Sequence, residues 1–295
     1  MRYEGKIFRP GPTEYGSYLL QVTLGCSHNK CAFCNFYRDK PFRMRPYGEL
    51  EEDIMMARRH YGRVPSVFLI DGNVTCLSMD RLRPILKKIK EVFPESAHTN
   101  MFGTLRDISK KTLDELREMK ELGVEMIVAG LESGSDIVLS AVGKGYTAGE
   151  AISAGQKMRE SGIALGSGVI LGLGGIARSR EHVEGTIRVL NELCCSHIGI
   201  TVLNLQADSP MYADVQSGAF ELPTYGQIFR EEAEIVKGLS LKRQAVFSTG
   251  YFLPNDDIIA GILPDEGERV VREVEGRAKL YPQWLGEKIR MHGHL

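Results

Sequence analysis

No stretch of the 295-residue chain approaches the run of about 20 apolar residues that a membrane-spanning helix needs. The N-terminus, Met-Arg-Tyr-Glu-Gly-Lys, also lacks the apolar segment of a signal peptide. These two absences lead us to expect a cytoplasmic protein with no membrane partner.

The sequence also lacks an excess of charge of either sign. Lys and Arg number 37 and Asp and Glu number 38, which gives a formal net charge of −1. Nucleic-acid binding depends mainly on positive charge that neutralises phosphates, so we expect no nucleic-acid partner. Apolar residues make up 43% and charged residues 25% of the chain, which is ordinary for a globular protein.

Cysteine is scarce, and its distribution argues against a disulfide framework. Three of the six cysteines, Cys26, Cys31 and Cys34, lie within nine residues, directly after a strand-like run. A structural zinc site needs four ligands, and the chain has no second Cys-x-x-Cys pair to supply the fourth. An iron–sulfur cluster held by three cysteines would instead keep one iron open for chemistry. A zinc site completed by His28 or a distant cysteine remains the alternative.

Apolar segments alternate with helical patterns at steady intervals over the first two thirds of the chain. Strands are predicted at 17–23, 66–70, 96–100, 125–129, 164–171 and 198–203. This alternation predicts βαβ units and a parallel sheet of the α/β class. Six repeats fit a partial (β/α)6 barrel, an opened relative of the TIM barrel, and a doubly wound sheet is the alternative. A helix is predicted at 109–122, with Ser109 as its N-cap.

The alternation stops after the sixth strand, and the chain is divided there. We predict a lead-in at 1–16, a core barrel at 17–205 and an α-rich C-terminal extension at 206–295 that caps the substrate side. Residues 206–223 have a loop-like composition, and 251–254 is the candidate lid. The extension is predicted to contain helices at 224–239 and 265–278 and a strand at 244–249.

The spacing Cys-x4-Cys-x2-Cys, with aromatic Phe33 before the last cysteine, resembles the cluster loop of the radical S-adenosylmethionine (radical SAM) superfamily. The usual spacing there is Cys-x3-Cys-x2-Cys, so the extra residue is a departure that leaves the subfamily unassigned. The resemblance implies that Cys26, Cys31 and Cys34 hold three irons of a [4Fe–4S] cluster. The fourth iron would chelate S-adenosylmethionine, and Phe33 would lie beside its adenine.

Asp71-Gly72-Asn73 follows the second predicted strand, where the family carries a short glycine motif that receives the methionyl amino group. The usual form is Gly-Gly-Glu, from which this chain departs. The resemblance makes all three residues cofactor contacts, with Asp71 or backbone carbonyls accepting from the ammonium. The structural alternative is an Asp-Gly turn that ends a strand.

Gly130-Leu-Glu-Ser-Gly134 resembles a fourth-strand motif of the branch that includes elongator-like, methylthiotransferase and anaerobic coproporphyrinogen oxidase enzymes. The resemblance implies that Glu132 accepts hydrogen bonds from the cofactor ribose or amino group. It further implies that Lys144 pairs with the methionyl carboxylate. A helix-start acid and a solvated surface lysine are the structural alternatives.

Gly172 and Gly174 follow the fifth predicted strand and resemble the stretch that packs against the adenine. Without side chains, backbone groups can approach a planar ring closely. Three further residues follow strands at the functional end of such a barrel. They are the candidates for catalysis or substrate contact, namely Cys76, Arg106 and Asn204. For Cys76, a buried residue without a role in catalysis is the favoured interpretation.

The family resemblance implies a cytoplasmic oxidoreductase of an anaerobic niche. Its reduced cluster would cleave S-adenosylmethionine, and the resulting 5′-deoxyadenosyl radical would abstract hydrogen from a small-molecule or peptide substrate. An electron donor such as flavodoxin or ferredoxin would be its partner. The alternatives are a radical methyl or group transferase of the same superfamily and a non-catalytic iron–sulfur or zinc protein.

Overall fold

The structure is a computed structural model that describes residues 1–11, 14–250 and 258–280. The candidate lid at 251–254 lies outside the described residues. The described chain divides into two compact units. The first unit comprises the described residues of 1–29, 36–129 and 156–165, and the second comprises 30–35, 130–155 and the described residues from 166 onward.

Strands and helices alternate through most of the described chain. The strands are β1 (Tyr18–Gln21), β2 (Thr23–Leu24), β3 (Arg43–Met44), β4 (Val67–Ile70), β5 (Thr99–Gly103), β6 (Val124–Ala129), β7 (Ala164–Leu171), β8 (His197–Val202), β9 (Ala245–Gly250) and β10 (Ala260–Leu263). The helices are α1 (Tyr47–Tyr61), α2 (Met79–Val92), α3 (Leu105–Lys110), α4 (Leu113–Glu121), α5 (Asp136–Ala141), α6 (Ala148–Ser161), α7 (Ser179–Leu193), α8 (Pro210–Ser217), α9 (Tyr225–Gly238) and α10 (Gly267–Leu280). The central sheet has eight strands and is mostly parallel, which confirms the predicted α/β class.

The first unit is built on parallel strands. β1 pairs with β4, β4 with β5, and β5 with β6. Every residue of β1, β4 and β5 is buried, as expected for strands covered on both faces. The short strands β2 and β3 pair antiparallel, with Thr23 opposite Met44 and Leu24 opposite Arg43. This ribbon brings together the chain entering and the chain leaving the cysteine loop.

The second unit contains most of β7 together with β8, β9 and β10. β7 pairs parallel with β8, and β8 pairs parallel with β9. β10 pairs antiparallel with β9 at the end of the strand order. The strand predicted at 244–249 is thus present as β9 and belongs to the sheet. No helix in the described part of the chain is long and apolar enough to cross a membrane.

Two sequence predictions about local structure in the first unit were wrong. The helix predicted at 109–122 is two helices, α3 and α4, because Thr104 and Thr112 each accept a hydrogen bond from a backbone N–H three residues on. Ser109 is therefore inside α3 and is not the N-cap. The strand predicted at 96–100 lies three residues later, as β5.

The loop predicted at 206–223 contains helix α8. Pro210 occupies the first helical position and Gly218 ends the helix with a φ of +79°. A proline at the start and a glycine just beyond the end are both compatible with a short helix. The same two residue types made the segment resemble a loop in sequence. The predicted division into a lead-in, a core and a cap has boundaries that differ from those of the two compact units. This division stays a prediction.

Candidate functional site

The cysteine loop carries half-buried thiols. Cys26, Cys31 and Cys34 are each partly exposed, and none of the six cysteines forms a disulfide in the described residues. Within those residues, no group of three or more His, Cys, Asp or Glu side chains surrounds the position of a single metal ion. A cubane differs from such a site, because each of its thiolate ligands binds a different iron.

Gly72 packs directly against the start of the cysteine loop. A Cβ at this position would lie 2.8 Å from the Cβ of Cys26 and 2.7 Å from the ring of Tyr37. Both distances are shorter than real Cβ contacts, so only glycine fits. The predicted glycine motif therefore lies next to one of the predicted cluster ligands, which is what a cofactor chelated to the cluster requires.

The side chains on either side of Gly72 are buried and engaged within the protein. Oδ2 of Asp71 accepts hydrogen bonds from Nε2 of Gln21 at 3.3 Å and from the backbone N–H of Gly25 at 3.1 Å. Asn73 Nδ2 donates to Oδ2 of Asp107 at 2.6 Å. A cofactor contact by this motif remains a prediction, and the backbone is the part of it that is best suited to make one.

Cys76 and Arg106 join the same polar network in the first unit. The Cys76 thiol donates to the backbone oxygen of Asn73 at 3.1 Å, and burial raises the pKa of this thiol. Arg106 Nη1 donates to Nδ1 of His28 at 2.9 Å, which places the proton of a neutral His28 on Nε2. Arg106 Nη2 also donates to Asp107 at 3.3 Å. Two of the three candidate catalytic residues thus lie in one hydrogen-bonded cluster.

Asp107 is the carboxylate at the centre of this cluster. Burial alone would raise its pKa, but hydrogen bonds from Asn73, Lys110 and Arg106 outweigh burial, and the pKa is lowered. The group is therefore ionised near neutral pH and holds the cations around it. Arg106 was named from the sequence, and the structure identifies Asp107 as the partner shared by Arg106 and Asn73.

Glu132 and Lys144, both predicted to contact the cofactor, form an ion pair in the second unit. Lys144 Nζ lies 2.7 Å from Oε1 of Glu132, and the exposed fractions of the two side chains are 11% and 14%. Burial alone would lower the pKa of Lys144, but the Glu132 carboxylate raises it, so the amine is charged. An ionised Cys31 thiolate raises this pKa further, and the ring of Phe33 in the cysteine loop lies 5.9 Å from the Lys144 amine.

Aromatic rings flank the same amine. Lys144 Nζ lies 5.9 Å from the ring centroids of both Phe33 and Tyr146, within the range of cation–π attraction. The hydroxyl of Tyr146 donates to the backbone oxygens of Gly130 and Leu131 at 2.8 and 3.0 Å. The predicted adenine neighbour Phe33 and the predicted carboxylate partner Lys144 are thus brought together.

The Gly130–Gly134 motif explains how Glu132 is presented. Glu132 has a φ of +63°, a left-handed conformation that side-chain-bearing residues rarely adopt. A Cβ on Gly130 would collide with the Glu132 carboxylate, so this glycine leaves room for the acid. A Cβ on Gly134 would collide with the backbone oxygen of Gly185 in α7. Ser133 and His182 add a hydrogen bond of 2.9 Å, which ties the motif to the same helix.

The glycine turn after β7 is supported by an acid that the sequence interpretation missed. Glu231 of α9 is 3% exposed, and its carboxylate accepts from the backbone N–H of Gly172 at 2.8 Å and from the Ser179 hydroxyl at 2.5 Å. Burial raises the pKa of Glu231 to about 7, against the lowering effect of these two donors. The signal available in the sequence was an acid on the face of α9 that also carries Ile228 and Ile235.

The glycines of this turn have packing partners within the protein. A Cβ on Gly174 would lie 2.6 Å from the backbone oxygen of Arg178, and one on Gly172 would lie 3.0 Å from Pro223. Close approach to α7 and to the segment before α9 therefore accounts for both glycines. Packing of this turn against an adenine remains a prediction.

The third catalytic candidate, Asn204, is partly buried just after β8. Its Oδ1 accepts a hydrogen bond from Nε2 of Gln206 at 3.5 Å. The segment that follows touches the cysteine loop. The backbone N–H of Met211 donates to the backbone oxygen of Ala32 at 3.0 Å, and the N–H of Ala32 donates to Val142 at 2.8 Å.

Two sets of observations fit the cluster and S-adenosylmethionine to this chain. In the first unit, Gly72 approaches Cys26 so closely that no side chain fits. In the second unit, the nearly buried, charged Lys144 lies beside the Glu132 carboxylate and the ring of Phe33. Thiols, an ammonium and a carboxylate are the groups that an iron–sulfur cluster and an amino-acid moiety need.

Comparison with known proteins connects these features to one family. The family model described as the radical SAM superfamily matches residues 20–190, which is more than half of the chain. A heme chaperone, HemW of Bacillus subtilis, is 24% identical over 228 residues, an alignment that covers 75% of this chain and 58% of that protein. The uncharacterized methyltransferase PH0819 of Pyrococcus horikoshii is 27% identical over 192 residues, covering 62% and 39%.

The fold also has a counterpart among solved structures. The crystal structure of methylornithine synthase (PylB) superposes with a TM-score of 0.55 at 14% identity, covering 90% of this chain and 81% of that one. This match supports the predicted partial-barrel class of α/β fold. The chain spans about half the length of the two relatives matched by sequence, because their alignments cover 58% and 39% of them.

Proposed function

The chain belongs to the radical SAM superfamily, and from that membership we propose that it is an enzyme that cleaves S-adenosylmethionine reductively with a [4Fe–4S] cluster. Cys26, Cys31 and Cys34 would hold three irons of the cluster. The observation that carries the proposal within this chain is the Glu132–Lys144 pair, which is nearly buried and lies beside Phe33 of the cysteine loop. These two charges match the ammonium and carboxylate of a methionyl group.

The residues of the chain would bind and orient S-adenosylmethionine. Lys144 would donate to the methionyl carboxylate, and Glu132 would accept from the ribose hydroxyls or the amino group. The backbone at Asp71, Gly72 and Asn73 would receive the amino group beside Cys26. Phe33, Gly172 and Gly174 would border the adenine. When bound, the reduced cluster would supply one electron to the sulfonium, which yields methionine and a 5′-deoxyadenosyl radical.

The substrate would be a small molecule or a peptide that gives up a hydrogen atom. Arg106 and Cys76, together in the polar cluster of the first unit, and Asn204 after β8 are the residues proposed to face it. The partner would be an electron carrier such as flavodoxin or ferredoxin, in the cytoplasm of an anaerobic host. No nucleic-acid partner is proposed, because the net charge is −1.

The test is a product assay under anaerobic conditions. We expect the reconstituted protein, reduced with dithionite and given S-adenosylmethionine, to form 5′-deoxyadenosine and methionine in equal amounts. Cys31→Ala should form neither, because a cubane held by two thiolates of this loop is incomplete. Equal product from the variant, or none from a wild-type protein with a full complement of iron, would refute the proposal.

A radical methyl or group transferase is the second candidate. The similarity to a protein named as a methyltransferase favours it, at 27% identity over 192 residues. This candidate predicts S-adenosylhomocysteine among the products once an acceptor is present. A non-catalytic cluster protein is the third, and the match to a heme chaperone makes heme the probe to titrate if no cleavage occurs.

A further inference from the structure

A buried ion pair lies where the two ends of the cysteine loop meet. Lys40 Nζ and Oδ2 of Asp71 are 3.2 Å apart, and the exposed fractions of the two side chains are 7% and 0%. The same Asp71 oxygen accepts from the backbone N–H of Gly25 at 3.1 Å. One carboxylate oxygen therefore contacts the residue before Cys26 and the residue six positions after Cys34.

The backbone confirms that these two ends touch. Gly25 has a φ of +69°, and a Cβ there would lie 2.6 Å from the backbone oxygen of Lys40. Only glycine allows the chain to enter and leave the loop at this distance. We call this point, formed by Gly25, Lys40 and Asp71, the neck of the loop.

The neck is also fastened to the N-terminal segment. Lys40 Nζ donates to the backbone oxygen of Lys6 in addition to Asp71. Gln21, which donates to Asp71, exchanges hydrogen bonds with the backbone of Glu4. The lysine thus has two acceptors from different segments, and its position is set by both.

The Asp71 carboxylate is enclosed by the protein. Its second oxygen, Oδ1, is buried and has no hydrogen-bond partner among the described residues. Because the side chain has no exposed surface, the Asp71 carboxylate contacts the neck of the loop and offers no surface to a ligand in this arrangement. Gly72, the next residue, packs on Cys26. A shift of Asp71 would therefore move Gly72 and, with it, the contact with this predicted cluster ligand.

We propose that Lys40 and Asp71 are a positioning pair that closes the neck of the cysteine loop and so holds Cys26 where the cluster assembles. This inference rests on the proposed function, since it assumes that the loop carries a cluster. Removing one member leaves the other charge unpaired in the interior, which favours an opened neck. Replacing both with neutral residues removes that penalty.

The test is a double-mutant cycle on the full chain. The variants are Lys40→Met, Asp71→Asn and the double variant, which retains an acceptor for the Gly25 N–H. We expect each single variant to retain less than half of the wild-type iron after anaerobic reconstitution, with a broadened electron paramagnetic resonance signal of the reduced cluster. The double variant and Lys40→Arg should recover most of the iron and the wild-type signal.

A matched control is available in the same unit. Arg45 and Asp53 form another buried pair at 2.8 Å, with exposed fractions of 1% and 2%. Asp53→Asn should lower the urea midpoint of the apo protein and leave the iron content unchanged. This control separates general loss of stability from loss of loop geometry.

Two results would overturn the proposal. One is wild-type iron content and an unchanged spectrum in both single variants. The other is full iron with equally weakened S-adenosylmethionine binding in Asp71→Asn and the double variant, which would make Asp71 a direct cofactor contact. Failure of the proposed function is distinguishable, because the wild-type protein would then form no 5′-deoxyadenosine, whereas coupling of Lys40 and Asp71 can still be measured in urea.

Discussion

Glu132 has a left-handed conformation between Gly130 and Gly134, and its carboxylate is paired with Lys144. Such strain at a polar residue is typical of a functional position, because surrounding packing must enforce it. The pair is complete without a ligand, so binding of a zwitterion requires each member to share its partner. A methionyl group supplies both charges and can compensate both.

Glu132→Ala should weaken S-adenosylmethionine binding and leave the cluster in place. A charge-assisted hydrogen bond is worth roughly 1.5–3 kcal/mol, which corresponds to a loss of affinity of about tenfold to a hundredfold. Equilibrium titration of the reconstituted protein measures this. The control is Glu184→Ala, whose partner Arg180 lies in an exposed pair. Unchanged affinity in Glu132→Ala would make this acid structural.

Glu231 should make stability depend on pH in a defined direction. Its pKa is about 7 in the folded protein against an ordinary 4.5, so its contribution is full below about pH 4.5 and is lost as the pH rises through 7. The loss is on the order of 3 kcal/mol. We expect Glu231→Gln to remove this part of the dependence.

The measurement is urea unfolding of both proteins at about pH 5 and about pH 8. His182, whose pKa burial lowers to about 4, destabilises both proteins equally on the acid side, so the difference between them isolates Glu231. Parallel loss of stability in the two proteins would contradict the assignment.

At the residue scale, the sequence supports a functional prediction only where a motif is local, and those assignments stay predictions. The three cysteines, Gly72 and the Gly130–Gly134 motif are short stretches whose chemistry depends on neighbours in sequence. Lys40 and Glu231 were not predictable, because their roles arise from contacts with Asp71 and Gly172, 31 and 59 positions away. A lone Lys or Glu carries no sign of such a contact in the sequence.

Elements were predicted best where burial gives a continuous apolar run. The strand predicted at 164–171 agrees with β7 at both ends, and 125–129 agrees with β6 within one residue. Helix ends depend on single capping side chains, and for that reason the region of α3 and α4 was misread as one helix. α8 was missed because proline and glycine, here Pro210 and Gly218, occur in turns as well as at helix ends.

The contact between α7 and the Glu132 motif can be tested at the scale of elements. Gly134→Ala should lower the free energy of unfolding by roughly 1–3 kcal/mol, because the added methyl meets the backbone of Gly185. It should also weaken cofactor binding by moving Glu132. Gly149→Ala in α6 is the control, since its Cβ meets only Thr147 at 3.9 Å.

The control variant should be at least as stable as the wild type, because Gly149 is the second residue of α6 and the added methyl group meets no close contact. Urea unfolding of the apo proteins measures both changes. Equal stability of Gly134→Ala and the wild type would show that the turn and α7 can separate without cost.

At the scale of the whole molecule, the role of the C-terminal extension can be tested by truncation. The predicted division after residue 205 implies that a chain ending there keeps its cluster. Two contacts of the extension argue against this. The backbone N–H of Met211 donates to Ala32 in the cysteine loop, and the buried carboxylate of Glu231 accepts from the N–H of Gly172. We therefore expect the truncated chain to lose most of its iron.

Iron content and solubility of the truncated protein after reconstitution measure this. A chain of residues 1–250, which retains both contacts and β9, is the control and should hold more iron than the shorter chain. A soluble chain of 1–205 with full iron would support the predicted division and would remove the extension from the cofactor site.

The central claim is that Cys26, Cys31 and Cys34 hold a cubane with one open iron that binds S-adenosylmethionine. Electron paramagnetic resonance of the dithionite-reduced protein, with and without S-adenosylmethionine, tests it most directly. We expect a reduced [4Fe–4S] signal whose g-values shift when the cofactor is added, and no such signal in Cys31→Ala. A cluster signal that S-adenosylmethionine leaves unchanged would contradict it.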